Sequence, residues 1–201
     1  MDETTTDGEP VDGQVDKETT TEADSRVVDS FAFEPNLERA AAVGRLLEKR
    51  EETLAVAESC TGGLLGGTIT AVPGSSTYFE SGQTVYAYRA KCRELGVSRE
   101  ALDEHGAVSE PVAREMARGV RDTADVTWGV SITGVAGPGG GSADTPVGTV
   151  YIGIAYAGPW ASGTSSVTVS KHRFEGDRHA VRTRTVDSAL EALLEVVREQ
   201  E

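Results

Sequence analysis

The chain has 201 residues and a formal charge of −14, from 33 acidic and 19 basic side chains. That length accommodates one domain with a sizeable core, and the charge opposes a phosphate backbone, which argues against nucleic acid as a partner. Four lysines stand against fifteen arginines; acid excess with scarce lysine is the composition of a salt-adapted surface or of an ordinary soluble protein with an acidic tail.

Residues 1–30 hold ten Asp or Glu, two basic residues and six Thr. With almost no apolar periodicity they are expected to form a disordered acidic tail ahead of a single domain over 31–201. The segment lacks the basic start and apolar centre of a secretory signal, and no later apolar run reaches membrane-spanning length. A cytoplasmic protein with no membrane partner is therefore expected.

In chain order, Asn36 can cap a helix running to Glu51, with Leu37, Ala40, Ala41, Val43, Leu46 and Leu47 on its apolar face. A strand is expected at Thr53 to Ala57, and a glycine-bearing helix at Thr61 to Val72 that Pro73-Gly74 ends. Glu80 to Tyr88 favours a strand and Ala90 to Leu95 a short helix. Ser109, as cap, opens a helix to about Thr123 with Pro111 in its first turn. Strands follow at Val126 to Thr133 and Thr149 to Tyr156, separated by a glycine-rich loop. Thr164 to Phe174 alternates like an edge strand, and Asp177 starts the last helix. Helices and strands that alternate and then give way to paired strands predict a single-domain α/β fold, a three-layer α/β/α sandwich with a mixed β-sheet.

Cys60 and Cys92 make neither a metal-binding spacing nor a disulfide framework, and His105, His172 and His179 are scattered, so no metal site is expected. The glycines fit neither GxGxxG nor the Walker pattern. Ala57-Glu58-Ser59-Cys60-Thr61-Gly62-Gly63 stands where a strand hands over to a helix. Its amides and the hydroxyls of Ser59 and Thr61 can hold a phosphate or carboxylate, or can simply cap the helix. The loop from Gly134 to Ser142 offers backbone that a ligand can approach closely. Ser76, Tyr86 and Lys91 form the sharpest constellation, because a lysine with a depressed pKa can activate a serine where no histidine is available. The bland alternative is that Ser76 caps a turn, Tyr86 fills the core and Lys91 is solvated.

Taken together, AESCTGG, PGSSTYFESG, VYAYRAK, HGAVSEPVAREMA, SITGVAGPGGG, TPVGTVYIGIA and FEGDRHAVR, in that order from about Asn36 to the C-terminus, resemble the CinA C-terminal domain family, the nicotinamide-nucleotide amidases. The resemblance implies cofactor-free hydrolysis of the carboxamide of a small nucleotide, nicotinamide mononucleotide, to nicotinate mononucleotide and ammonia. It implies Ser76 as nucleophile with Tyr86 and Lys91 as its activating partners. Ser59, Thr61 and Gly62 would shape the nucleotide pocket, with Thr133, Gly134, Ala136, Gly137 and Pro138 along another wall. Arg178 is a candidate phosphate contact, or else a helix-start ion pair. A homo-oligomer is the family-level expectation. Many relatives carry a nucleotide-pyrophosphatase domain ahead of this one, and that second activity is expected to be missing here. The rival expectation is a nucleotide-binding or protein-interaction module that keeps the fold without turnover.

Overall fold

The computed structural model describes residues 36–200; the expected acidic tail and its boundary with the domain lie outside them. The elements are α1 (Leu37–Arg50), β1 (Leu54–Glu58), α2 (Leu64–Thr70), β2 (Phe79–Thr84), α3 (Tyr88–Leu95), α4 (Arg99–His105), α5 (Glu110–Ala124), β3 (Trp128–Gly134), β4 (Thr149–Tyr156), β5 (Ser166–Arg173) and α6 (Arg178–Glu199), with a short 3-10 turn at Ser75–Thr77 before β2. The strands form one sheet in the order β2-β1-β3-β4-β5. β2 and β3 run parallel to β1, while β4 is antiparallel to both β3 and β5. This is a mixed five-stranded sheet between two helical layers, the α/β/α sandwich that the sequence pattern predicts.

Each layer follows from side-chain alternation. In β1 every residue is buried: Leu54 and Val56 face one core with α1, α2 and α6, and Ala55 and Ala57 face the other with α3, α4 and α5. A strand covered on both faces reads as a continuous apolar run. β5, at one edge, has no fully buried residue and exposes Thr168, Lys171 and Arg173. Asn36 caps α1 by accepting from the Arg39 amide, and Asp177 caps α6 by accepting from the Ala180 amide. Ser109 stands at the α5 cap position, but its hydroxyl donates to the Gly106 carbonyl and does not cap the helix.

Beyond shifts of up to three residues at other element ends, two features differ from the sequence-based expectation. β2 ends at Thr84, four residues early, and α4 was not expected at all. In α4, Ser98 accepts from the Ala101 amide and receives a second tie from the Glu115 carboxylate of α5, to which it donates its own amide at 2.7 Å. Only Ala101 and Leu102 are buried in α4, too few to make a period.

α5 lies unusually close to its neighbours. A Cβ at Gly129 of β3 would fall 2.3 Å from the Ala117 carbonyl oxygen, and one at Gly119 would fall 2.1 Å from that of Leu95. Backbone cannot retreat as a side-chain tip can, so Gly129→Ala is expected to cost about 1–3 kcal/mol. Gly67, inside α2 with nothing within 4 Å of its Cβ position, sets the contrast: Gly67→Ala should gain about 0.5–1 kcal/mol from helix propensity. Urea denaturation of both variants checks the pair, and a neutral Gly129→Ala would show that α5 can lift from the sheet.

Candidate active site

The carboxyl ends of the parallel strands β1, β2 and β3 open onto one cleft. Connections leave β1 toward β2 on one side and reach β3 on the other, so the cleft lies at the point where strand order reverses, the usual ligand position of open α/β sheets. Its volume is about 280 Å³, and its walls include Ser59, Cys60, Tyr86, Tyr88, Lys91, Thr133, Gly134, Ala136, Gly137 and Arg178.

Ser59 follows β1 directly. Its turn is set by Glu58, a carboxylate that is buried, with 1% of its surface exposed, and that accepts from the amides of Gly63 (3.1 Å), Leu65 (3.1 Å) and Gly66 (2.8 Å). These amides at the start of α2 are therefore occupied by the protein's own carboxylate, which is the capping alternative of the two that the sequence leaves open. The Ser59 amide donates to the Ile132 carbonyl and the Gly62 amide closes the turn onto the Ser59 carbonyl.

Lys91 reaches this turn from α3. Its side chain has no exposed surface, and Nζ donates to Ser59 Oγ at 3.0 Å and to the carbonyl oxygens of Val85 at 2.7 Å and Tyr86 at 3.2 Å. Three N–H groups thus meet three acceptors. Burial pulls the amine down from 10.5 to about 8, with a smaller opposing pull from Cys60. Next to Ser59, burial pushes the Cys60 thiol up to about 11, so a Cys60 thiolate is not available near neutral pH.

Tyr86 and Tyr88 stand at the mouth, 61% and 50% exposed. The Tyr86 phenol oxygen accepts from Arg178 Nη2 at 3.4 Å, while Arg178 Nη1 donates to the Gly137 carbonyl at 2.7 Å and so ties α6 to the glycine loop. Thr133 donates to the Ala107 carbonyl at 2.6 Å. Thr61 is fully buried with a hydroxyl that has no hydrogen-bond partner, and neither it nor Gly62 nor Pro138 lines the cleft.

Ser76 does not share this site with Tyr86 and Lys91. It is exposed on the 3-10 turn that precedes β2, whereas Lys91 follows the far end of that strand. Six strand residues at roughly 3.3 Å each separate the two ends by roughly 17 Å, beyond the reach of any proton transfer. The serine at Lys91 is Ser59. The sequence signal for it was the strand-to-helix turn that begins at Ser59, the first residue past the carboxyl end of a parallel strand, where side chains face the cleft.

Among the described residues no group of three or more His, Cys, Asp or Glu could hold a metal ion, and no helix is long and apolar enough to cross a membrane.

The CinA C-terminal domain model matches residues 36–197. A CinA-like protein from Chlorobaculum tepidum is 49% identical over 159 residues, 79% of this chain and 37% of that protein. A putative competence-damage inducible protein from Moorella thermoacetica is 47% identical over 157 residues, 78% of this chain and 36% of its own. The chain thus spans about a third of the length of the curated relatives it matches. Crystal structures of a CinA superfamily protein from Klebsiella pneumoniae (TM-score 0.76, 33% identity, 83% of this chain and 99% of that one) and of the competence/damage inducible protein CihA from Agrobacterium tumefaciens (TM-score 0.76, 35% identity, 82% and 98%) share the fold.

The depressed Lys91 pKa has a consequence for stability. Between pH 8 and 10.5 the unfolded chain keeps the proton that folded Lys91 has released, so the unfolded state binds more protons and stability rises with pH. The melting temperature of the wild type should accordingly gain on that of Lys91→Met as pH increases from 7 to 10. Cys60 acts in the opposite sense above pH 9, so the interval from pH 7 to 9 reads Lys91 most directly. A constant gap across that range would mean that buried Lys91 titrates as an exposed lysine does.

Proposed function

The chain belongs to the CinA C-terminal domain family, and from that premise we propose that it is a serine amidohydrolase that converts nicotinamide mononucleotide to nicotinate mononucleotide and ammonia. The observation that carries the reading is the buried contact of 3.0 Å between Lys91 Nζ and Ser59 Oγ.

Neutral Lys91 has two N–H groups and one lone pair. The N–H groups satisfy the Val85 and Tyr86 carbonyls, and the lone pair then faces Ser59 Oγ as a proton acceptor. Ser59 Oγ attacks the carboxamide carbon as its proton passes to Lys91, giving a tetrahedral oxyanion. Collapse breaks the C–N bond, Lys91 returns the proton to the departing nitrogen, and ammonia leaves an ester on Ser59. Water attacks that ester with Lys91 again as base, and nicotinate mononucleotide departs.

The cleft suits such a substrate. Tyr86 and Tyr88 offer aromatic faces for the pyridine ring, and Arg178 is the cation nearest the mouth for a phosphate. The Gly134–Gly137 backbone supplies a close wall. Serine, lysine and water carry every step, so the reaction calls for no cofactor, and a pyridine-nucleotide substrate fits work in the cytoplasm. The acidic, lysine-poor surface is consistent with a salt-adapted setting, and a homo-oligomer remains the family-based expectation.

The test is ammonia release from nicotinamide mononucleotide. Ser59→Ala should lose turnover by several orders of magnitude while Ser76→Ala stays near wild type. Lys91→Arg, which keeps the charge and removes the base, should fall by about 10²–10⁴-fold. Wild-type turnover should rise with pH through about 8, because the active form of Lys91 is the deprotonated one. Loss of activity in Ser76→Ala but not Ser59→Ala would overturn the assignment, and no ammonia release at any salt concentration would favour the binding module.

A further inference from the structure

A series of hydrogen bonds runs from α6 into the Ser59 turn, and the mechanism above does not use it. Arg182, four residues beyond Arg178 and so on the same face of α6, donates to the Thr61 carbonyl through Nη2 at 2.6 Å and Nε at 3.2 Å. The Thr61 carbonyl shares its peptide unit with the Gly62 N–H, which donates to the Ser59 carbonyl at 3.2 Å. The Ser59 carbonyl shares its own unit with the Cys60 N–H. That last amide has no acceptor on another residue among the described residues, and Cys60 lines the cleft beside Ser59.

We infer that Arg182 is a positioning residue that acts through two peptide units on the Cys60 amide, and that this amide is a donor to the oxyanion formed when Ser59 attacks. The inference rests on the amidase reading. Its physical basis is twofold. Hydrogen bonds in series polarise one another by about 10–30% per bond, and here a cation stands at the head of the series. Each carbonyl drawn toward the guanidinium leaves its own N–H a stronger donor, ending at the Cys60 N–H, whose neighbouring acceptor is the weak one of its own thiol sulfur. The second effect is geometric. Two donors on one oxygen fix the Thr61–Gly62 peptide plane, and the turn bond transfers that orientation to the Ser59–Cys60 plane. Glu58 holds the amides of Gly63, Leu65 and Gly66 on the other side of the turn, and of the residues that follow Ser59 in the turn it is Cys60, adjacent to the nucleophile, that lines the cleft. Preorganised donors of this kind act where charge develops and need no rearrangement during reaction.

The experiment compares Arg182→Gln and Arg182→Lys with the wild type in two measurements. In the first, kcat for nicotinamide mononucleotide should fall about tenfold in Arg182→Gln, short of the roughly 10²–10³-fold loss on deleting an oxyanion donor outright. KM should stay within about threefold, the pH midpoint of turnover should not move, and Arg182→Lys should recover part of the loss. The second needs no substrate: the Cys60 amide proton, followed in a nitrogen-15 correlation spectrum, should shift upfield in Arg182→Gln while amides of β4 do not. An unmoved Cys60 resonance in a folded variant, or a loss carried by KM instead of kcat, would overturn the inference. If Arg182→Gln does not fold, Arg182→Lys, which keeps the charge and loses the fork, carries the same spectral comparison. A wild type that releases no ammonia defeats the amidase reading, and the Cys60 shift then decides the relay alone.

Discussion

The buried carboxylate of Glu58 is the contact on which the site depends. It ends β1 and starts the next helix, accepting three backbone amides that would otherwise be orphans at the first turn of α2. Burying a carboxylate is costly unless its oxygens are satisfied. Hydrogen bonds to a charged acceptor contribute roughly 1.5–3 kcal/mol each, so three of them offset much of that cost. What results is a turn of fixed shape. Ser59 leaves the strand in one direction only, and Cys60 to Gly62 have little freedom to relax toward any other path.

Against that fixed turn stands a lysine whose cost has been accepted on purpose. Lys91 is fully buried among Val85, Tyr86 and Ser59, and among the described residues the charged form has no carboxylate partner within hydrogen-bond reach. An arginine could not relieve this burial by losing its proton. The chain writes Arg at most of its basic positions and Lys here, which matches a position where the neutral state is the one wanted. Burial lowers the pKa to about 8, so near neutral pH a useful fraction of the protein carries the free amine.

Much of this was legible in the sequence, for reasons that can be named. LAVAE reads as a strand covered on both sides because it is apolar at every position but the last, and Asn36 and Asp177 announce helix starts through their side-chain chemistry. The rarity of lysine singled out Lys91. Its partner was misjudged because Ser59 and Ser76 both sit beside glycines in loops, and a linear sequence does not state that β2 runs parallel to β1. Once it does, the start of β2 and its end must lie at opposite rims of the sheet, and Ser76 belongs to the wrong rim. β2 was drawn too long because the residues after Thr84 look like strand, yet Val85 and Tyr86 turn their carbonyls toward Lys91 instead of continuing along the sheet. α4 escaped notice because its hold on the fold, Ser98 to Glu115, spans seventeen positions and leaves no local period. The Glu58 role was likewise invisible: a single acidic residue at a strand end does not reveal which amides will converge on it.

The position of β2 at the rim of the sheet has a further consequence. β1, which carries Ser59, is clamped between two strands, while among the described residues β2 pairs with β1 alone, and the segment that brings Lys91 home follows β2 directly. Local opening in proteins begins where backbone bonds are fewest. Detachment of this one edge parts the amine from the hydroxyl while β1, β3, β4 and β5 stay joined. The pairing of base and nucleophile is thus a direct reporter on whether this rim is closed.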